Sequence, residues 1–147
     1  MSVDLTGIPV SEMIDKAFKM LKLAYTPYSH WKVGAGLLDT DGKIWGGCNI
    51  ENASYGVTNC AERTAFFKAV SEGVKSFKAI AIVGGREGKV EDFCAPCGVC
   101  RQAMMEFCDP ESFIVIVAKN KTEYTAKTLK EILPDGFGPK SLAEKGE

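Results

Sequence analysis

FKAIAIVGG, the stretch from Phe77 to Gly85, is an unbroken apolar run of strand length. A strand with apolar residues on both faces must be covered on both faces, so this run predicts a central strand between two layers of helix. Helical patterns flank it: CAERTAFFKAVSEG lies before it and APCGVCRQAMMEFC after it. Helix and strand alternating around a buried strand indicate an α/β fold.

The rest of the chain extends this pattern. PVSEMIDKAFKMLKLAYTPYS has the apolar spacing of an amphipathic helix, and VGAGLLDTDGKIWGGCNI predicts a hairpin around the turn from Asp39 to Gly42. Beyond the central run, FIVIVAKN predicts a fourth strand, YTAKTL an edge strand and LKEIL a short helix. We therefore expect a three-layer α/β/α fold around a central mixed five-stranded sheet.

Length and composition favour one globular unit. A chain of 147 residues suits a single domain, 1–147, and we find no linker, low-complexity segment or internal repeat that would divide it. Hydrophobic residues make up 46% of the chain and charged residues 25%, which is ordinary for a soluble globular protein. No apolar run approaches the roughly 18 residues that a membrane span needs, so a membrane partner is not expected.

The start of the chain and its charge limit location and partners. MSVDLTGIPVSEMID has early acids and no continuous apolar stretch, so we expect no secretory signal and a cytoplasmic location. With a net charge of −1 and scattered lysines there is no basic stripe, so a nucleic-acid polymer is not expected as a partner. The six cysteines should stay reduced in the cytoplasm, which favours metal binding or catalysis over disulfides.

Three cysteines have a spacing that suits a metal. Cys97 and Cys100 would share one face of the third helix, in its first turn if Pro96 opens that helix, where the helix dipole favours thiolates. Zinc binds its ligands in a tetrahedral arrangement, so two cysteines leave room for a third protein ligand. Cys60 is the natural choice, because it follows Asn59, which we expect to be the N-cap of the second helix. If parallel strands precede both helices, their starts converge at one sheet edge.

Other uses of the cysteines stay open. A redox pair and a pair of buried thiols use the same C-x-x-C spacing. Cys94 makes a second C-x-x-C with Cys97, but the following Ala-Pro dipeptide favours extended backbone, so we expect Cys94 outside the helix. We interpret Cys94, Cys48 and Cys108 as small apolar side chains. His30, the single histidine, has no ligand spacing around it and is expected to be a loop residue.

Two charged residues, Glu62 and Arg63, lie just beyond Cys60 and Ala61. Glu62 can reach the open coordination position without binding the metal and act there as a general acid and base, or it can simply complement the helix dipole. Arg63 can donate hydrogen bonds to the thiolates and offset their net negative charge around Zn²⁺. The alternative for Arg63 is a solvated surface position.

CAERTA and PCGVCRQ together resemble the motifs of the zinc nucleoside deaminases, and they are most similar to those of the homotetrameric cytidine deaminases. The resemblance covers nearly the whole chain. YTPYSHWKVGAGLLDTDGKIWGGCNIENASYG is similar to the family's first hairpin, and EILPDGFGP to its carboxy-terminal segment. Cys60 stands where related deaminases have histidine, and the three-cysteine form is that of the small cytidine deaminases.

The resemblance implies a set of site residues. Cys60, Cys97 and Cys100 would bind one Zn²⁺ per subunit, and Glu62 would shuttle protons in the deamination of cytidine and 2′-deoxycytidine, with release of ammonia, in pyrimidine salvage. The enzyme would be a homotetramer with its sites near subunit interfaces. Its partner would be a small-molecule nucleoside.

The resemblance also implies substrate contacts. Asn49 and Glu51 in CNIEN match positions that hold the sugar hydroxyls, although the residues alone equally suit a polar strand end. The backbone N–H of Ala61 would hold the base carbonyl, and Phe137 matches an aromatic residue that reaches into a neighbouring subunit's site. Trp31 departs from the phenylalanine that usually packs beside the base and the sugar.

Three other functions would use the same residues. A deaminase for a cytosine-containing antibiotic such as blasticidin S shares the zinc and glutamate pattern. A non-catalytic zinc protein would need a fourth ligand, for which Cys94 is the candidate. A thiol oxidoreductase that uses PCGVC would be active without metal.

Overall fold

The central apolar run forms the middle strand of a five-stranded sheet in a computed structural model that describes residues 3–143. The strands are β1 (Trp31–Asp39), β2 (Ile44–Cys48), β3 (Phe77–Arg86), β4 (Ile114–Ala118) and β5 (Tyr124–Thr128), in the spatial order β2-β1-β3-β4-β5. The helices are α1 (Val10–Leu21), α2 (Ala61–Ser71), α3 (Gly98–Phe107), α4 (Leu129–Ile132) and α5 (Pro139–Leu142). Within residues 3–143 we find no helix that has both the length and the apolar character to cross a membrane.

The pairing of the strands sets the direction of the whole sheet. β1 runs antiparallel to β2 and to β3, whereas β3 and β4 are parallel and β4 and β5 are antiparallel. Because β1 is antiparallel to both of its neighbours, β2 and β3 run in the same direction. The helices that follow these two strands, α2 and α3, therefore begin at the same edge of the sheet.

The two faces of β3 are covered by different helices. Ile80 and Ile82 pack in a cluster with Phe66 of α2 and Met104 of α3. The intervening residues of β3, such as Ala81, pack in a second cluster with residues of α1. The predicted three-layer α/β/α fold with a mixed five-stranded sheet is thus confirmed, and the alternation of side chains along β3 produces it.

Two glycines let the helices approach the hairpin closely. A Cβ at Gly34 in β1 would overlap the carbonyl oxygen of Ala17 in α1. A Cβ at Gly47 in β2 would overlap the carbonyl oxygen of Ala61 and lie 2.5 Å from the amide nitrogen of Ala65. Glycine at these positions brings the helix backbones into contact with the sheet backbone, and at Gly47 it fixes where α2 begins.

The helices α2 and α3 begin one or two residues later than the sequence predicts. Asn59 is not the N-cap of α2, because its backbone N–H and carbonyl pair with those of Ile50 and keep it extended. Pro96 is not in the first turn of α3; its carbonyl accepts a hydrogen bond from Nε of Arg101 at 2.8 Å. The N-caps are Cys60 and Cys97 themselves, both with extended backbone.

We expect Gly47→Ala to destabilise the protein by about 1–3 kcal/mol, because the new methyl group must displace the backbone of α2. The measurement is the midpoint of thermal unfolding. Gly56→Ala is the matched control, since nothing lies within 4 Å of a Cβ built there. Equal midpoints for the two variants would contradict the close packing of β2 against α2.

Candidate functional site

The starts of α2 and α3 bring three cysteine sulfurs together. The Sγ atoms of Cys60, Cys97 and Cys100 all lie within 4.8 Å of one another, and those of Cys60 and Cys97 are 3.9 Å apart. Tetrahedral zinc with Zn–S bonds of about 2.3 Å separates its sulfur ligands by about 3.8 Å. The expected convergence of the two helix starts is therefore observed, and the donor set fits zinc with one coordination position left over.

The thiol groups of Cys60 and Cys100 shift each other's pKa. A hydrogen bond from the Cys100 thiol, opposed by burial and aided by Arg63, lowers the pKa of Cys60 to about 5. The same hydrogen bond and burial raise the pKa of Cys100. A divalent cation bound here would displace the thiol protons, because thiolates are the form of cysteine that binds metal.

Glu62 lies in the first turn of α2 beside the sulfur cluster and is only 4% exposed. Burial, followed by the negative charge of Cys60, raises the pKa of this carboxyl to about 7. A glutamate that only complemented the helix dipole would have no reason to be buried, because burial of a carboxylate costs free energy. A buried carboxyl with a raised pKa beside a sulfur cluster makes Glu62 a candidate for acid–base chemistry.

Arg63 contacts the sulfur cluster and is partly buried. Its Nη2 donates a hydrogen bond to Sγ of Cys60 at 3.3 Å. Its Nε is buried and has no hydrogen-bond partner among residues 3–143. Arg63 is therefore not a solvated surface arginine, and its guanidinium is directed by its contact with the thiolate.

The remaining cysteines and the histidine lie outside the cluster. Cys94 is half-buried against Gly84 of β3, and Cys48 and Cys108 are buried. His30 lies in the loop before β1, where its Nδ1 is 3.2 Å from Oε1 of Glu87. Neither Cys94 nor His30 joins the three sulfurs, so residues 3–143 do not provide the fourth protein ligand that a structural zinc site would need.

Asn49, just past the end of β2, has a fixed side chain. Its Oδ1 accepts a hydrogen bond from the N–H of Val33 at 2.8 Å, and its Nδ2 donates one to the carbonyl of Trp31 at 2.7 Å. An amide side chain has two donors and two acceptor sites, so one of each remains. Asn49 can thus both donate to and accept from a ligand hydroxyl.

Glu51 faces a cavity of about 380 Å³ that it lines with Tyr28, Ser29, Tyr55 and Thr58. Its Oε1 accepts hydrogen bonds from the N–H groups of Tyr28 at 3.0 Å and Ser29 at 3.1 Å. Desolvation acts to raise the pKa of Glu51, but these bonds and the Ser29 hydroxyl outweigh it and keep the pKa below its ordinary value. Sequence reasoning missed Ser29, because a loop serine has no periodic signal.

The remaining residues predicted to contact the substrate are Trp31, Ala61 and Phe137. Trp31 opens β1 and is 39% exposed. Ala61 is the first residue of α2, so its N–H has no acceptor within the helix. Phe137 is 58% exposed, and its carbonyl accepts a hydrogen bond from Nε2 of Gln102 at 2.8 Å. In the single chain Phe137 does not line the cavity at Glu51.

Comparison with known proteins gives consistent results. Residues 9–117 match the family model for the cytidine and deoxycytidylate deaminase zinc-binding region. A cytidine deaminase of Sporosarcina psychrophila is 48% identical over 138 residues, which is 94% of this chain and 98% of that protein. The crystal structure of cytidine deaminase from Burkholderia pseudomallei superposes with a TM-score of 0.77 and 43% identity, covering 86% of this chain and 97% of that one. That of Mycobacterium tuberculosis gives 0.76 and 35%, covering 89% and 98%.

We expect Cys97→Ala to purify without zinc, because two thiolates cannot replace three at a tetrahedral site. Cys94→Ala, which alters the neighbouring thiol outside the cluster, should keep about one zinc ion per chain. Metal content measured by atomic absorption decides between them. Loss of zinc from Cys94→Ala would show instead that Cys94 is a ligand.

Proposed function

The chain belongs to the cytidine and deoxycytidylate deaminase family, from which we infer that it is a zinc-dependent hydrolase that converts cytidine to uridine and ammonia. One observation carries the inference: three cysteine sulfurs that fit zinc lie beside a buried glutamate. We extend the substrates to 2′-deoxycytidine and propose a role for each residue of the site.

In this proposal Cys60, Cys97 and Cys100 hold the zinc ion. When bound, zinc acts as a Lewis acid that makes water a nucleophile at neutral pH. In the overall reaction water adds to the amine-bearing ring carbon and ammonia leaves from it, so no oxidant or second cofactor is required.

Glu62 moves the protons. Its carboxylate accepts a proton from the attacking water and delivers one to the ring nitrogen beside the reacting carbon. In the second half of the reaction it takes the proton of the hydroxyl group that was added to the ring carbon and delivers it to the leaving amine, so a single carboxyl serves both halves. Its burial supports this role, because a carboxyl shielded from bulk water does not lose its proton to solvent.

Arg63 limits the negative charge at the site. Three thiolates outweigh the two positive charges of zinc, and excess negative charge opposes deprotonation of water. The hydrogen bond from Arg63 to Cys60 withdraws charge from one sulfur and offsets this effect.

Asn49 and Glu51 bind the sugar. The amide has a free donor and a free acceptor site, and the carboxylate accepts, which suits hydroxyl groups. Trp31 packs beside the base and the sugar, and the N–H of Ala61 holds the base carbonyl. The CNIEN segment favours a nucleoside over an antibiotic such as blasticidin S, and a substrate panel tests that choice.

The proposal includes a cellular setting. The whole chain, 1–147, forms one domain that works in pyrimidine salvage in the cytoplasm. The described strands belong to one sheet, which supports a single unit. All six cysteines are free thiols, which suits a reducing compartment.

The assembly is a homotetramer with its sites near subunit interfaces. Exposed apolar residues beside Glu51 support this: Tyr28 and Tyr55 have ring centroids 5.9 Å apart, and Tyr55 is 74% exposed. Apolar area of this kind is stabilised by burial against another copy. Phe137, exposed in the single chain, would complete a neighbouring subunit's site.

We expect the zinc-loaded protein to convert cytidine to uridine, seen as loss of the cytidine absorbance band, and a chelator to stop the reaction. Glu62→Gln should keep zinc and lower turnover by about 10²–10⁴-fold, because the amide cannot carry the proton. Glu106→Gln, on the exposed side of α3, is the control and should match the parent enzyme. Full activity of Glu62→Gln would refute the acid–base assignment.

Sedimentation of the active enzyme should give a species of four chains. Phe137→Ala should raise the KM for cytidine, because its ring would no longer complete the neighbouring subunit's site, while the zinc content should stay at the parent value. A stable monomer with full activity would exclude both the tetramer and this role for Phe137.

A further inference from the structure

The hydroxyl group of Ser29 joins two parts of the proposed nucleoside site. It donates a hydrogen bond to Oε2 of Glu51 and accepts one from the N–H of Trp31 at 3.0 Å. Its own N–H donates to the other oxygen of the same carboxylate. Ser29 therefore contacts both oxygens of Glu51 and also fixes the residue that opens β1.

The loop around Ser29 is held from its other side by the end of β3. The N–H of Glu87 donates to the carbonyl of His30 at 2.6 Å, and Nη1 of Arg86 lies 3.4 Å from the carbonyl of Ser29. These bonds use backbone atoms of the loop. The loop is thus tied to the end of β3 by bonds that do not involve the Ser29 hydroxyl.

The hydrogen bonds at Glu51 leave little room for a ligand. A carboxylate has about four lone-pair sites. Two donors occupy Oε1, and the Ser29 hydroxyl occupies one site on Oε2. One site on Oε2 remains, with its direction set by Ser29, so Glu51 is prepared to accept a single hydroxyl group.

We propose that Ser29 is a positioning residue, which holds the Glu51 carboxylate for one sugar hydroxyl. The inference rests on the proposed function, because it takes Glu51 to be a sugar ligand. Without the Ser29 hydroxyl, Oε2 of Glu51 would lose its fixed direction and take up water.

The test uses the zinc-loaded enzyme with Ser29→Ala and Ser29→Thr. We expect Ser29→Ala to raise the KM for cytidine about tenfold, the effect of one hydrogen bond, with most of the loss in KM and little in kcat. Ser29→Thr keeps the hydroxyl and should restore the KM. Zinc content and the unfolding midpoint, measured alongside, should stay at parent values.

A ligand without the sugar hydroxyls separates positioning from a general structural role. The inhibition constant of 2′,3′-dideoxycytidine, measured in competition with cytidine, should change less than about twofold in Ser29→Ala, because this ligand offers Glu51 nothing to bind. An equal loss of affinity for cytidine and for the dideoxy ligand would overturn the proposal.

A double-mutant cycle completes the test. If Ser29 acts through Glu51, adding Ser29→Ala to Glu51→Gln should raise the KM much less than Ser29→Ala does alone. Additive effects would overturn the positioning role while leaving the proposed function intact. A parent enzyme that does not turn over cytidine would instead overturn the proposed function, and with it the inference on Ser29.

Discussion

The site depends on the meeting of two helix starts at one edge of the sheet. β2 and β3 are not neighbours, but each is antiparallel to β1 and so they run in the same direction. Each strand leads into a helix whose N-cap is a cysteine, and Cys100 follows one turn into the second of these helices. Strand direction thus brings the three sulfurs to one edge of the sheet, and the close contact at Gly47 fixes how near α2 lies to β2.

Charge balance explains why the residues after Cys60 are so different from one another. Three thiolates and a buried carboxyl in one place would repel each other strongly in a medium of low dielectric constant. Arg63 supplies one positive charge from within α2, and the bound cation supplies the rest. In the proposed site the same short stretch therefore carries a ligand, a proton carrier and a counter-charge.

The sequence was informative wherever a periodic pattern or a spacing motif existed. The unbroken apolar run of β3 and the helical patterns beside it predicted the layers, and the C-x-x-C spacing together with Cys60 at the start of the preceding helix predicted the sulfur cluster. Local patterns could not place the start of α2, because Asn59 is kept extended by a β-bridge to Ile50. Such pairing between separate parts of the chain leaves no signal in the residues next to Asn59. Ser29 was missed for the same reason, since its importance comes from Glu51, 22 residues further along the chain.

The cysteine N-caps have a consequence for the dynamics of the protein. Neither Cys60 nor Cys97 accepts a hydrogen bond at its side chain from a backbone N–H group in the first turn of its helix, whereas Thr128 does cap α4 in this way. Helix starts that lack such a bond fray more readily. A metal held by both caps ties the two ends together, so hydrogen exchange at the first turns of α2 and α3 becomes a measure of metal occupancy.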